Sequence, residues 1–391
     1  MTRTIGWSFF LAMSWTWCIG MYLPVLLLRD AGWAGFAVFA IPNVVGAAAM
    51  GWMLRDAQQS RELVANHESA CIWFSLVTIV FHAFFAAWII RRIVGPSAGV
   101  MVGAAFAIFW LILQWERGGK FLAAVLVLAV SVFAFAWGCA RGEIPYVAQP
   151  LGFSPTTLSP GGALWLAPAC LFGFLLCPYL DLTFHAARQG TTAPQARAAF
   201  TAGFCLIFPL MILFSAAYSG PLVLFLARRI YPQLAAIVAV HLIAHSGFVA
   251  AAHARQLADR ASRITLGRIV IFGAAVAAAV ALGVWDRGYS YRGLRLGEIV
   301  YRCFLGFYAL VFPAYVWLRV VPRRRSGLRL ALAVLAAAPM FWLGFVERLG
   351  VWLLPGVLIP VAAKWIFTPR PGEPRADLPP AHWPPAGETG T

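Results

Sequence analysis

Charge is scarce in this 391-residue chain: 11% of its residues are charged, and 14 acidic residues stand against 30 basic ones. A soluble globular domain carries about 25% charged residues, so a water-soluble fold of this length is excluded. With 62% of residues hydrophobic, most of the molecular surface must meet lipid or other helices. Paired cysteine spacings are missing too. Cys18, Cys71, Cys139, Cys170, Cys177, Cys205 and Cys303 lie mostly inside or at the ends of apolar runs, with no CxxC or zinc-like spacing. That leaves no disulfide framework or zinc site to read, only small buried hydrophobes. Long polar loops are also lacking, so no separate extramembrane domain is expected. The net charge of +16 does not indicate a nucleic-acid binder. The basic residues form short clusters between apolar runs, where the positive-inside rule places them.

What is present is apolar and aromatic: mean hydropathy is +0.80, with 17 Trp and 30 Phe. Runs long enough to cross about 30 Å of hydrocarbon lie near 5–28, 32–54, 71–90, 98–115, 121–140, 162–184, 199–227, 230–252, 267–285, 300–318, 328–346 and 349–367. The sequence therefore predicts an all-α polytopic membrane protein of about 12 transmembrane helices. Only Glu347 and Arg348 separate the last two. Trp15, Trp17 and Tyr22 occupy the place of a small-residue cleavage site, so the first run reads as a span rather than a signal peptide. With the amino terminus inside, 19 of the 30 Lys and Arg fall on the cytoplasmic side and 11 on the other. Both termini are then cytoplasmic, in a multi-pass inner membrane protein. The transmembrane domain is expected over 1–367. From Thr368 onward the chain is Pro-rich and reads as a disordered tail, and the Pro-rich stretch 141–161 as an ordered external connection.

Acidic residues inside a bilayer are expensive and mark function. Of the 14, only Asp181 falls within a run; the others sit in loops, at span ends or in the tail. It follows Pro178 in LFGFLLCPYLDLTFHAAR, where proline should open the helix around Phe174–Pro178. The alternative is a headgroup-level carboxylate paired with Arg188. The first run is similarly irregular: LAMSWTWCIGMYLPVLLL places Ser14 and Thr16 among tryptophans, then Gly20 and Pro24. Two broken, polar-bearing helices that each open a five-helix set point to a midplane binding site of an inverted-repeat transporter. His241 and His245 are one turn apart on one helical face, with Ser246 beside them, His253 further on and His82 in the third run. They could relay protons, bind a metal or haem iron, or simply bond to neighbouring helices. Asn43 reads as an interhelical hydrogen-bonding residue.

The segment LAMSWTWCIGMYLPVLLLRDAGWAGFAVFAIPNVVGAAAMGWMLRD resembles the opening of LeuT-fold transporters of the amino acid–polyamine–organocation superfamily. Its GWAGFAVFAIPNVVGA portion is similar to sodium:solute symporters. The resemblance covers about the first 56 residues and is architectural beyond them. It implies a 5+5 inverted repeat, about 5–140 and 162–318, with two extra helices over 328–367. It further implies substrate contacts from Ser14, Trp15, Thr16, Trp17 and Cys18, and from Phe172, Gly173, Cys177 and Tyr179. A cation would sit between first-helix carbonyls and eighth-helix hydroxyls. This chain departs from that pattern: Ser246 is followed by Gly247, and Trp15 and Trp17 replace small residues.

The expected function is ion-coupled symport of a small organic solute, with Asp181, His241, His245 and Ser246 as ion-coupling residues. The partners are then the solute and the lipid bilayer, with no nucleic acid. No cofactor is expected beyond a coupling ion, H+ or Na+, and protons are favoured because the second eighth-helix hydroxyl is missing. Two other classes compete. A lipid-linked transferase would need acid–base carboxylates outside the membrane, where Asp30, Glu143, Asp286, Glu298 and Glu347 are available. A haem or metal redox protein would use His241, His245 and His82.

Overall fold

Interruptions in the backbone, more than the apolar runs between them, set the architecture. The computed structural model describes residues 2–116, 118–142, 160–226, 232–286, 289–322 and 327–366. The connection at 143–159 and the Pro-rich segment from Thr368 lie outside the described residues. Among those described the chain is helical apart from one two-stranded hairpin, Ser290–Tyr291 with Leu294–Arg295. Among the described residues, eight helices are long and apolar enough to cross a membrane. A ninth is added if the bent pair Leu164–Leu180 and Leu182–Gln189 is one span. The protein is thus an all-α, polytopic membrane protein.

Helix Thr2–Trp15 ends at Thr16, and Trp17 is extended (φ −75°, ψ −177°) before the chain resumes a helix at Cys18. The helical run Cys18–Met53 is 36 residues long. At 1.5 Å per residue a straight helix of that length spans about 54 Å, far more than the hydrocarbon needs. Gly32 resolves the conflict. Its φ of 61° and ψ of −157° break the helix at a residue without a Cβ to clash. Gly95, at φ 76°, likewise separates Arg91–Val94 from Ala98–Leu113.

The second interruption lies further along than Phe174. Ala167–Leu176 tightens into a 3-10 turn, Cys177–Leu180, and Asp181 (φ −79°, ψ 112°) leaves the helical region before Leu182–Gln189 begins at a 58° bend. Pro178 occupies the start of the short turn, where its missing N–H is not needed. The break therefore falls three residues after it.

Pro232–Ala258 runs through the middle, packed on Glu68–Phe85, Ala98–Leu113 and Gly119–Ala140. Its apolar window (Ala236–Ala258) is 83% buried, against 11% for Leu266–Val284, which is left facing lipid. Thr2–Trp15 lies against Gly119–Ala140 and Ala193–Ala202, and Cys18–Met53 against Ala167–Leu176 and Phe208–Leu226. Helix contact in lipid depends on close backbone approach, and Gly46 provides it. A Cβ there would sit 2.0 Å from the Phe174 carbonyl oxygen.

Gly46→Ala should therefore force these two helices apart and destabilise the fold by about 1–3 kcal/mol. Gly99→Ala, at a position with open space around it, is the matched control. Thermal unfolding in detergent checks this, and equal melting of both variants contradicts it.

Candidate functional site

A helix broken at membrane depth exposes amide and carbonyl groups that lipid cannot satisfy. Side chains from three other helices serve the first break. The Cys18 amide donates to His82 Nε2 (3.3 Å), and the Cys18 carbonyl accepts from the Tyr301 hydroxyl (3.0 Å). The Met21 carbonyl accepts from Tyr218 (2.5 Å). Trp17 Nε1 donates back to the Ser14 carbonyl. His82 Nδ1 lies 2.8 Å from the Thr78 carbonyl, so its proton sits on that nitrogen and leaves Nε2 free to accept.

The second break caps itself. Asp181 is the N-cap of Leu182–Gln189: its Oδ1 accepts from the Thr183 amide (2.7 Å) and lies 2.8 Å from Thr183 Oγ1. A carboxylate in this place also complements the positive end of the helix. Thr183 Oγ1 is 3.2 Å from Ser14 Oγ, so one hydroxyl joins the two interruptions. All three side chains are fully buried. Thr183 has a single proton to give and the carboxylate is the stronger acceptor, so Ser14, whose hydroxyl also lies 3.2 Å from the Leu11 carbonyl, is the donor where the two hydroxyls meet. Asp181 Oδ2 has no hydrogen-bond partner among the described residues.

Aromatic rings fill the space between the breaks. Trp17 packs against Trp15, Phe74, His253 and Tyr308, with ring centroids 4.3, 5.3, 5.9 and 5.2 Å away. Trp15 Nε1 donates to Asn43 Oδ1 (2.6 Å). A cavity of only about 10 Å³ remains, bordered by Trp15, Trp17, Asn43, Phe174, Cys177 and Tyr308. A second, apolar cavity of about 80 Å³ shares Phe174 and Tyr308 with it and leads past Leu23, Leu27 and Gly173 to Asp30 and Arg302.

A buried ion-pair quartet closes that mouth. Arg29 grips Glu298 with both terminal nitrogens (2.9 and 2.6 Å) and reaches Asp30 (2.7 Å). Arg302 bridges Glu298 (2.8 Å) and Asp30 (2.5 Å). Asp30 and Glu298 are only 6% and 8% exposed, so both carboxylates are withdrawn from water, while Arg29 stays partly exposed. At the opposite end, Leu182–Gln189 is tied to the segment after Met53. Arg188 Nε donates to the Leu54 carbonyl (2.8 Å), and His185 Nδ1 lies 2.8 Å from Ser60 Oγ.

Of the residues singled out in the sequence, Ser14, Trp15, Trp17, Cys177 and Asp181 gather around the two breaks, with Cys177 Sγ donating to the Tyr308 carbonyl (3.0 Å). Thr16 turns its hydroxyl back to the Ala12 carbonyl (2.8 Å). Tyr179 contributes its carbonyl, 3.0 Å from His185 Nε2. Gly173 lines the apolar cavity. Phe172 instead joins a separate cluster with Leu310, Phe341 and Leu353. His241 Nδ1 and His245 Nε2 share the Ser131 hydroxyl, each at 3.0 Å. His253 Nδ1 meets Ser75 (3.1 Å). Ser246 Oγ is buried without a partner among the described residues. No described hydrogen bond joins the histidines to Asp181. Among the described residues, no three His, Cys, Asp or Glu side chains are grouped to hold a metal ion.

Sequence reasoning passed over Thr183, Tyr308, Ser131 and the charged quartet. Thr183 was available as the second residue after a post-proline Asp, a local capping pattern. The quartet was not, since its members lie up to 273 positions apart in sequence. In comparisons with known proteins, no family model and no curated protein matches the chain.

Asp181→Ala removes the cap and should cost about 1 kcal/mol, whereas Asp181→Asn keeps an acceptor and most of that stability. Thermal unfolding of the two variants separates the capping role from the charge. Indistinguishable melting of Asp181→Ala and the parent protein contradicts the capping account.

Proposed function

We propose that the protein is a secondary transporter of a small organic solute, with twelve spans in a LeuT-like arrangement and the solute site between the interrupted first and sixth spans. Two features of the backbone support the count. Dividing the two longest helical runs at Gly32 and Gly95 turns eight spans into ten. The bent pair supplies one more, and the apolar helix Gly350–Trp365 another. Thr2–Trp15 is the first half of a span that continues after Trp17. Spans 1–5 and 6–10 then each begin with a broken helix, as an inverted repeat requires. Both termini lie in the cytoplasm of this inner membrane protein, in keeping with the bias in Lys and Arg.

One observation carries the reading: the two breaks meet, joined through Ser14 and Thr183. Irregular backbone at this depth survives only where it is buried in protein or lines a cavity, and two such interruptions in contact, beside a small cavity, are the arrangement a midplane solute site needs. The site is occluded. The ion-pair quartet closes one end, the Arg188 and His185 contacts hold the other, and Trp15 and Trp17 fill the centre. A cycle of alternating access opens these ends in turn, and a solute takes the volume that the indoles vacate. Aromatic and aliphatic walls, with charge confined to the mouth of the apolar cavity, suit a solute with a substantial apolar body.

The coupling ion is a proton carried by Asp181, whose second carboxylate oxygen is unpartnered among the described residues. His241 and His245, linked by Ser131, assist on the neighbouring side. Proteoliposomes enclosing a fluorescent pH indicator, challenged with a panel of amino acids, amines and other small organic solutes, test this. A solute in the panel should move protons inward with it. Asp181→Asn should abolish that proton movement while leaving solute exchange largely intact. Uptake that follows a sodium gradient and ignores an imposed pH gradient contradicts proton coupling, and absence of any solute movement across the panel counts against transport.

A further inference from the structure

A basin of about 620 Å³ opens beside the Leu294–Arg295 strand, outside the route between the broken helices. Its lining includes Trp88, Arg91, Arg92, Asp286, Ser290 and Arg295. Small-molecule sites span about 300–1,000 Å³, so the volume suits a compact ligand or headgroup.

The basin is positively charged by construction. Among the described residues Asp286 is its one carboxylate, and it is already engaged. It accepts from Trp88 Nε1 (2.9 Å) and the Gly297 amide (2.8 Å), and it pairs with Arg92 (3.4 Å). The charge of Asp286 is thereby matched by Arg92, and Arg91 and Arg295 remain as excess. Neither has an ion-pair partner among the described residues.

Arg295 is held in place by the hairpin. Ser290 pairs with Arg295 and Tyr291 with Leu294, so the members of each pair share a face. The Tyr291–Leu294 face is anchored: Leu294 is buried with Ile299 and Val346, and the Tyr291 hydroxyl donates to Glu347. Arg292, in the turn, also pairs with Glu347 (3.0 Å). The other face presents Ser290 and Arg295 to the basin. Arg292 and Gly293 both have positive φ, 53° and 78°, the tight two-residue turn that a hairpin of this twist demands. A non-glycine residue is disfavoured in that conformation, and the pairing of Arg292 to Glu347 helps to hold it.

We propose that this basin binds a phosphate-bearing anion, gripped by the guanidinium groups of Arg91 and Arg295 with the Ser290 hydroxyl as an added donor. Guanidinium groups match phosphate oxygens in pairs of parallel hydrogen bonds. The location favours the headgroup of an anionic phospholipid. One wall is the end of Leu266–Val284, the helix most open to lipid. Trp285 and Tyr289, 72% and 56% exposed, stand beside it as interfacial aromatics do.

Native mass spectrometry of the full-length protein, with phosphatidylglycerol or phosphatidylcholine of the same acyl chains, tests the site. The parent protein should retain phosphatidylglycerol preferentially. Arg91→Gln with Arg295→Gln should weaken that retention by about thirtyfold. Arg91→Lys with Arg295→Lys should restore part of it, and the melting temperature should not move. Arg55→Gln with Arg61→Gln, two exposed arginines beyond Met53, controls for general charge. If glycerol 3-phosphate or inorganic phosphate displaces the lipid at millimolar concentration, the site serves a soluble phosphate; if neither does, it serves the lipid. Unchanged lipid retention in the Gln variant, or an equal loss in the Arg55 and Arg61 control, overturns the proposal.

Discussion

Every backbone amide and carbonyl at membrane depth must find its hydrogen bond inside the protein, and the arrangement around Trp17 and Asp181 is organised by that constraint. At the first break, His82 accepts from the freed Cys18 amide, and Tyr301 and Tyr218, from two further helices, donate to the Cys18 and Met21 carbonyls. Each of these side chains is thereby fixed in position, and with it the helix that carries it. The second break is served locally, by the Asp181 cap. Thr183 then joins it to Ser14. The two interruptions are thus parts of one buried polar assembly, around which the indoles of Trp15 and Trp17 are packed.

The ends of the bundle obey a different rule. Charges there are close enough to water to exist, yet Asp30 and Glu298 are withdrawn from it, and each is gripped by two arginines. Removing one member leaves an uncompensated buried charge, which costs far more than an exposed ion pair contributes. The four side chains therefore hold as one unit, each carboxylate depending on both guanidinium groups. The opposite end uses neutral and singly charged contacts: Arg188 to backbone carbonyls, and His185 to Ser60. The two ends are thus held by contacts of different kinds.

Much of this was legible in the sequence because lipid simplifies the problem. Apolar runs mark helices by length alone, and the proline, glycine and hydroxyl residues inside them mark where the helices fail. Ser14, Trp17, Cys177 and Asp181 were readable on that basis, as were His82 and Asn43. The exact place of the second break was not, since Pro178 can begin a short 3-10 turn as readily as it can end an α-helix. Phe172 faces another cluster because a one-residue step turns a side chain by about 100° around a helix. Asp30 and Glu298 looked like span-end charges in solvent. Only the tertiary pairing of segments far apart in sequence reveals them as buried. Ser131 was equally silent: one hydroxyl in an apolar run gives no hint that two imidazoles will share it.

The central claim is that the two interrupted helices touch at their breaks. Oxidative cross-linking of Ser14→Cys with Thr183→Cys, in a protein whose other cysteines are replaced by Ala, tests it without knowledge of the solute. The account predicts rapid formation of an intramolecular disulfide, read as a mass loss of two hydrogens in the peptide pair, with neither single variant reacting. A pair that stays reduced after prolonged treatment with the oxidant, in a protein that remains folded, would contradict it.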